Sequence, residues 1–208
     1  RCGAGFGMQI DWVSWTPADL GLTGPEQALP VFIDGGHALR NLRERVTVAQ
    51  DNGVVEDCMW ASLRSPQVVR KEDGEFLVEY YLRDHKLGYF VFKALDDMYV
   101  AKTFLFLTMD GTPEGQKLWE RLRLTKKDKQ YTGLDRLSTF VLSDIKDDPE
   151  LVAVFEECGC AHLFDMTEEK LTDRQLTGSA ADVRKYLGDR LDRAVTEIRQ
   201  RATVRRDE

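Results

Sequence analysis

The stretch EFLVEYYLRDHKLGYFVFKALDDMYVAKTFLFLT (Glu75–Thr108) decides the fold. It holds three runs rich in aromatic and β-branched residues. They are parted by DHKL (Asp84–Leu87) and by Asp96-Asp97. Runs of this composition between turn residues read as hairpin strands. Just upstream, QVVR (Gln67–Arg70) adds a fourth strand, joined through KEDG, whose Asp73-Gly74 pair is a common hairpin turn. The prediction is an antiparallel meander. With Leu95 opposite Met98, Phe90, Phe92, Ala94, Tyr99, Ala101, Thr103 and Leu105 share one face. Tyr89, Val91, Lys93, Val100, Lys102 and Phe104 share the other. The first face is almost pure core and is expected to pack on helices. The second mixes apolar residues with two lysines and a tyrosine.

Those helices precede the meander. MQIDWVSW (Met8–Trp15) alternates like a strand, and residues 16–30 carry the prolines and glycines of a loop. PVFID (Pro30–Asp34) is a second strand or the entry to a helix. A helix is predicted from Gly36 or His37, with Leu39, Leu42 and Val46 as its apolar stripe. Asp51–Gly53 breaks the chain. Val54–Arg64 forms a second helix on Val55, Met59 and Leu63, stopped before Pro66.

After Thr108 the pattern turns helical. Thr112-Pro113 starts one helix, with Leu118 and Leu122 inward, and Asp148-Pro149 starts another. Leu134–Ile145 reads as a helix between them, and CGCAHLF (Cys158–Phe164) as a short extended piece. Ser179–Ala202 reads as one long helix whose seam is Val183, Leu187, Leu191, Ala194 and Ile198. Its length, roughly 30–35 Å, exceeds what a small sheet needs, which points to a partner or a dimer mate on that seam. The expected class is α+β. Residues 8–110 form an N-terminal strand, two helices and the meander, and residues 111–208 form an α-helical extension.

Composition bounds the function. The chain has 208 residues, 42% of them hydrophobic, and a net charge of −7. That suits a globular core and disfavours a nucleic-acid coat protein, without excluding a local basic groove. Charge is segregated. Lys117, Arg121, Arg123, Lys126, Lys127 and Lys129 form a basic cluster; Asp144 to Asp173 is acidic; Arg184 to Arg206 is basic again. Such blocks pair within a fold or with a partner, or are simply solvated helix faces. Four cysteines show no disulfide framework, and no stretch has the apolar length of a membrane span, so a cytoplasmic setting is expected.

Strand, helix, helix and a four-stranded meander resemble the RelE-like ribonuclease toxins and the wider barnase–EndoU–colicin–RelE group. The string HALRNLRERV (His37–Val46) resembles the HALxRLxER opening of some phage-borne members. The resemblance covers residues 8 to 108, about half the chain. It implies metal-independent RNA cleavage without a cofactor: a base for the ribose 2′-OH, cations for the phosphorane, and an acid for the leaving oxygen. By that resemblance His37 is the candidate base or acid, and Arg40, Lys93 and Lys102 are the candidate phosphate-binding cations. Tyr89, as a base-stacking ring, and Arg64 are the candidate substrate-binding residues. The same residues have plainer readings. His37 is a helix-start residue, Arg40 pairs with Glu44 at i,i+4, and strand lysines protect a half-exposed sheet from aggregation.

Cys158-Gly-Cys160-Ala-His162 is a second constellation. In an extended segment all three side chains point one way, as metal ligands do, and Cys58 or His85 could complete the set. The spacing is a poor match to ordinary zinc sites, and buried thiols are the alternative. GxxxxGK[ST], GxSxG and HExxH are absent from the sequence, and Gly3-Ala-Gly-Phe-Gly lacks the flanking strand and helix of a dinucleotide fingerprint. Two functions are therefore expected: a toxin-type endoribonuclease or degenerate RNA-binding relative, or a non-enzymatic protein assembling through its C-terminal seam.

Overall fold

The structure is a computed structural model, and it describes residues 8–46, 53–70, 74–166 and 179–204. The chain divides into two compact units, the first ending at Phe106 and the second running from Leu107. The expected turn residues Asp51, Asn52 and Asp73 lie outside the described residues.

The first unit is α+β. Strands β1 (Met8–Trp15), β2 (Leu29–Ile33), β3 (Val68–Arg70), β4 (Glu75–Leu82), β5 (His85–Ala94) and β6 (Tyr99–Phe106) form one mixed sheet in the order β1-β2-β6-β5-β4-β3. The meander β3 to β6 is antiparallel throughout. β2 joins it parallel to β6, with Val31 opposite Tyr99 and Ile33 opposite Ala101. A parallel neighbour demands a long crossover. Helices α1 (Ala38–Arg45) and α2 (Val54–Arg64) lie within it, α1 against β6 and α2 against β4.

One sheet face is an aromatic core. Trp15 sits 4.9 Å edge-on to Phe92, Phe76 stacks on Phe92 at 5.7 Å, and Tyr80 meets both Phe90 and Phe104. Their polar ends are satisfied by α2: the Trp15 indole donates to the Leu63 carbonyl at 2.7 Å, and the Tyr80 hydroxyl donates to the Val55 carbonyl at 3.2 Å. The Trp12 side chain lies outside the described residues.

The predicted register holds at the turn, where the Leu95 N–H bonds the Met98 carbonyl, and then fails. Phe92 faces Ala101, but Val91 faces Thr103, so Lys102 is an extra residue in a β-bulge. Beyond it every side chain of β6 changes face. Phe104 stands opposite Phe90 and is fully buried in the aromatic core, while Thr103 and Leu105 join the other face. The assignment of Phe104 to the lysine face, and of Thr103 and Leu105 to the core face, is thus corrected.

The second unit holds α3 (Pro113–Leu122), α4 (Lys126–Thr132), α5 (Leu137–Leu142), α6 (Pro149–Glu157), α7 (Ala180–Leu187) and α8 (Asp189–Val204). Short 3-10 turns cover Asp144–Asp147 and Ala161–Leu163. Phe140, Phe155 and Phe164 form its aromatic centre. Most of these helices are too short to be stable alone, and side-chain caps hold their ends. Thr112 caps α3, a Thr125–Asp128 capping box starts α4, Asp148 caps α6 and Ser179 caps α7. α4 has no apolar stripe to advertise it; the box and the inward Lys129 make it a helix.

Two expectations are corrected here. The long C-terminal helix is two helices, broken at Gly188, whose φ of 47° and ψ of −131° suit glycine alone. The longer piece, 16 residues, spans about 24 Å. Its seam is also occupied: Val183, Leu187, Leu191 and Ala194 are all buried, in a unit where α8 lies against α3 and α6. Only Ile198 of that set is partly exposed. The segregated charges pair within this unit, Asp148 and Glu150 with Arg184, and Glu157 with Arg121 and Arg201.

Candidate functional site

Asp34 organises the turn that carries His37. Its carboxylate accepts the Gly36 and His37 N–H groups at 2.9 and 3.2 Å, and its own N–H donates to the Ala101 carbonyl at 3.1 Å. The turn is therefore pinned to β6 at the residue before Lys102. His37 occupies the N-cap position of α1 with its ring exposed and not bonded to the helix backbone. The ring Nδ1 lies 3.4 Å from Arg40 Nη2. Further along α1, Asn41 Nδ2 donates to Thr103 Oγ1 at 2.8 Å, a second tie between this helix and β6 just past the bulge.

Both lysines lie on one side of the sheet. Glu75 is opposite Lys93, Lys93 is opposite Val100, and Lys102 Nζ reaches Glu75 at 3.1 Å. Lys93 is exposed and Lys102 half-exposed. Lys102 is ion-paired with Glu75, and Arg40 with Glu44 at 3.8 Å on an open helix surface. The i,i+4 pair read from the sequence is present.

Tyr89 is placed differently from the expectation. It is 1% exposed, so its ring offers no face for a base to stack on. Lys86 Nζ donates to its hydroxyl at 3.1 Å and lies over its ring, while Glu79 takes the same ammonium at 3.3 Å and the Tyr81 hydroxyl. Strand alternation marks a face but not which of its polar residues meet, so this Glu79–Lys86–Tyr81–Tyr89 group is not legible in the sequence. Arg64 is exposed at the last position of α2.

The cysteine constellation is not extended. Cys158 ends α6 in a helical conformation, Gly159 turns the chain at φ 88°, and Cys160 leads into the 3-10 turn that contains His162. Three N–H groups in succession, from Cys158, Gly159 and Cys160, close back on carbonyls of α6, which is why the segment coils instead of extending. Cys158 and Cys160 are buried. Burial pushes the Cys158 thiol up to about 11, with Glu157 adding to it and Arg121 and Lys117 opposing. Among the described residues, no three or more His, Cys, Asp or Glu side chains are gathered closely enough to hold a metal ion.

The basic cluster of the sequence is also redistributed. Lys129 points inward, 2% exposed, to Asp110 at 2.6 Å and the Gly115 carbonyl. Lys117 and Arg121 line a cleft of about 390 Å³ with Glu120, Glu157 and Cys158. Arg123, Lys126 and Lys127 face solvent. No helix among the described residues is long and apolar enough to cross a membrane. Comparison with protein-family models, with curated proteins and with solved structures found no match.

Proposed function

We propose that the protein binds RNA through its first unit, as a relative of the RelE-like toxins that has kept the phosphate-binding surface and lost efficient cleavage. The observation that carries this reading is the Asp34 tether, which fixes the His37–Arg40 pair to the strand that presents Lys102. Exposed ion pairs such as Arg40–Glu44 are worth little, so an incoming phosphate can replace the carboxylate at small cost. Binding tolerates that exchange. Catalysis does not, because phosphorane stabilisation rests on donors already aimed at the developing charge. With Lys102 turned to Glu75 and the Tyr89 ring enclosed, the arrangement favours recognition over turnover.

The test is titration of a fluorescein-labelled single-stranded RNA by anisotropy at several salt concentrations, beside a gel assay for cleavage. Wild type is expected to bind with an affinity that falls as salt rises. His37→Ala/Arg40→Ala is expected to weaken binding about tenfold and to flatten the salt dependence. No cleavage dependent on His37 is expected. Unchanged affinity in the double variant would end the proposal. Cleavage abolished by His37→Ala alone would replace it with an active nuclease.

A further inference from the structure

The second unit carries exposed aromatic rings that its own core does not use. Tyr131 is 75% exposed, Trp119 41% and Tyr186 36%. A cation accompanies each. The Arg123 guanidinium lies over the Trp119 ring at 4.5 Å, and that of Arg190 over Tyr186 at 5.3 Å. Lys127 precedes Tyr131 by four residues on α4, hence on the same side of the helix. The three couples are contiguous. Tyr131 and Tyr186 rings are 5.5 Å apart, and Arg190 reaches from Tyr186 to the Arg123 carbonyl at 3.4 Å. The Asp128 carboxylate is already engaged by the Tyr186 hydroxyl, the Thr125 N–H and Arg190. Arg123, Lys126 and Lys127 remain turned to solvent.

Arg123 holds its place at a conformational cost. It ends α3 at φ 53°, a left-handed position where glycine is the usual residue. From there its side chain covers Trp119.

We propose that this surface binds single-stranded nucleic acid, with a base stacked on Tyr131 and neighbouring phosphates on Arg123, Lys126 and Lys127. Open rings interleaved with cations suit this class of ligand, since every base has a π-face and every linkage a negative charge. Charge complementarity points the same way: Arg123, Lys126 and Lys127 are turned to solvent, and Asp128 on the same helix as the lysines is already engaged. The surface shares no residue with the RNA site proposed above.

The test uses the full chain with 12-nucleotide oligo-U and oligo-dT, read by anisotropy and by quenching of Trp119 fluorescence. Trp119→Phe identifies the Trp119 contribution. Each titration is repeated in the His37→Ala/Arg40→Ala background, so that this surface is read apart from the first unit. Tyr131→Ala is expected to weaken binding about tenfold, within the range of one lost base stack. Lys126→Gln/Lys127→Gln is expected to lower the salt dependence. Arg123→Gly is the sharpest variant, because it relaxes the backbone while removing the cation: binding should fall with no loss of thermal stability. Comparable loss with both oligonucleotides means the surface reads stacking and phosphate; loss with oligo-U alone restricts it to RNA. Wild-type affinity and unchanged quenching in Tyr131→Ala and Arg123→Gly would overturn the proposal, and so would binding of neither oligonucleotide.

Discussion

The two units are held together by different physics. The first is a sheet whose backbone ladder and aromatic face supply its cohesion; of its ion pairs, Arg40–Glu44 and Lys102–Glu75 are solvated, and Lys86–Glu79 is half-buried. The second is a set of short helices whose ends are tied by polar side chains far apart in sequence. Arg184 grips Asp148 and Glu150 across more than thirty residues, and Arg121 joins Glu157 to Glu197. The difference teaches where each unit is vulnerable. A sheet with a dry aromatic face yields chiefly to steric insult. A helical unit stapled by carboxylates yields to acid as well.

The largest expected effects are steric, and they make the two units comparable. Gly88 on β5 lies so close to β6 that a Cβ there would overlap the Leu105 carbonyl oxygen. Gly115, in the first turn of α3, has the same relation to the Met109 carbonyl oxygen, and its N–H is the one capped by Thr112. Neither neighbour is a side chain that can swing away. Gly88→Ala and Gly115→Ala are each expected to cost upwards of about 3 kcal/mol. Hydrogen exchange resolved by peptide should place the loss in β4–β6 for the first and in α3–α4 for the second. Loss spread evenly over both units by either variant would dissolve the comparison.

Next comes Asp148, where the contrast is electrostatic. Its carboxylate caps α6 by accepting the Glu150 and Leu151 N–H groups at 3.1 Å each, and it takes two bonds from Arg184. The Arg184 bond is the main reason its carboxyl sits below the usual range; burial opposes it, and the cap bonds add to the lowering. A lowered carboxyl binds fewer protons folded than unfolded. Its contribution is therefore complete above the unfolded value near 4 and disappears as pH falls through the folded one. Asp148→Ala should cost about 3 kcal/mol, from a lost cap and from the charge-assisted bonds to Arg184, which keeps Glu150. Asp148→Asn keeps a good cap and should cost about half as much. Urea unfolding between pH 7 and pH 3 checks both: wild-type stability of the helical unit should drop toward that of the Ala variant in acid. A constant difference across that range would remove Asp148 as the acid-sensitive staple.

These particulars show what the sequence could disclose. The meander and the starts of α3 and α6 were legible because alternation, Thr112-Pro113 and Asp148-Pro149 are local signals. The Lys102 bulge was not, since one unpaired residue leaves the composition of β6 untouched while reversing the faces of Thr103, Phe104 and Leu105. α4 has no apolar stripe; its helix rests on its capping box and on Lys129. At the candidate site, the pairing of Arg40 with Glu44 followed from spacing, whereas that of Lys102 with Glu75 crosses β5 and depends on register. Alternation puts Tyr89 on the face of Lys93 and Lys102, but its burial is a tertiary fact. The break at Gly188 could have been read from the glycine itself, had the apolar seam not run through it.

The smallest effect is chemical, and it measures the opening of each unit without perturbing either. Cys58 is half-buried in the first unit, and Cys158 is buried in the second with its thiol pushed up to about 11. At pH 8 that leaves on the order of one part in a thousand as the reactive thiolate. In native protein, iodoacetamide should modify Cys58 well before Cys158, as mass spectrometry of peptides would record. Cys158 should then react only when α6 opens. Asp148→Ala weakens the start of that same helix, so it should raise the Cys158 rate and leave the Cys58 rate as it was. Both rates rising together would mean that the units open as one, and the contrast between an aromatic sheet and a charge-stapled helical unit would have no independent consequence for stability.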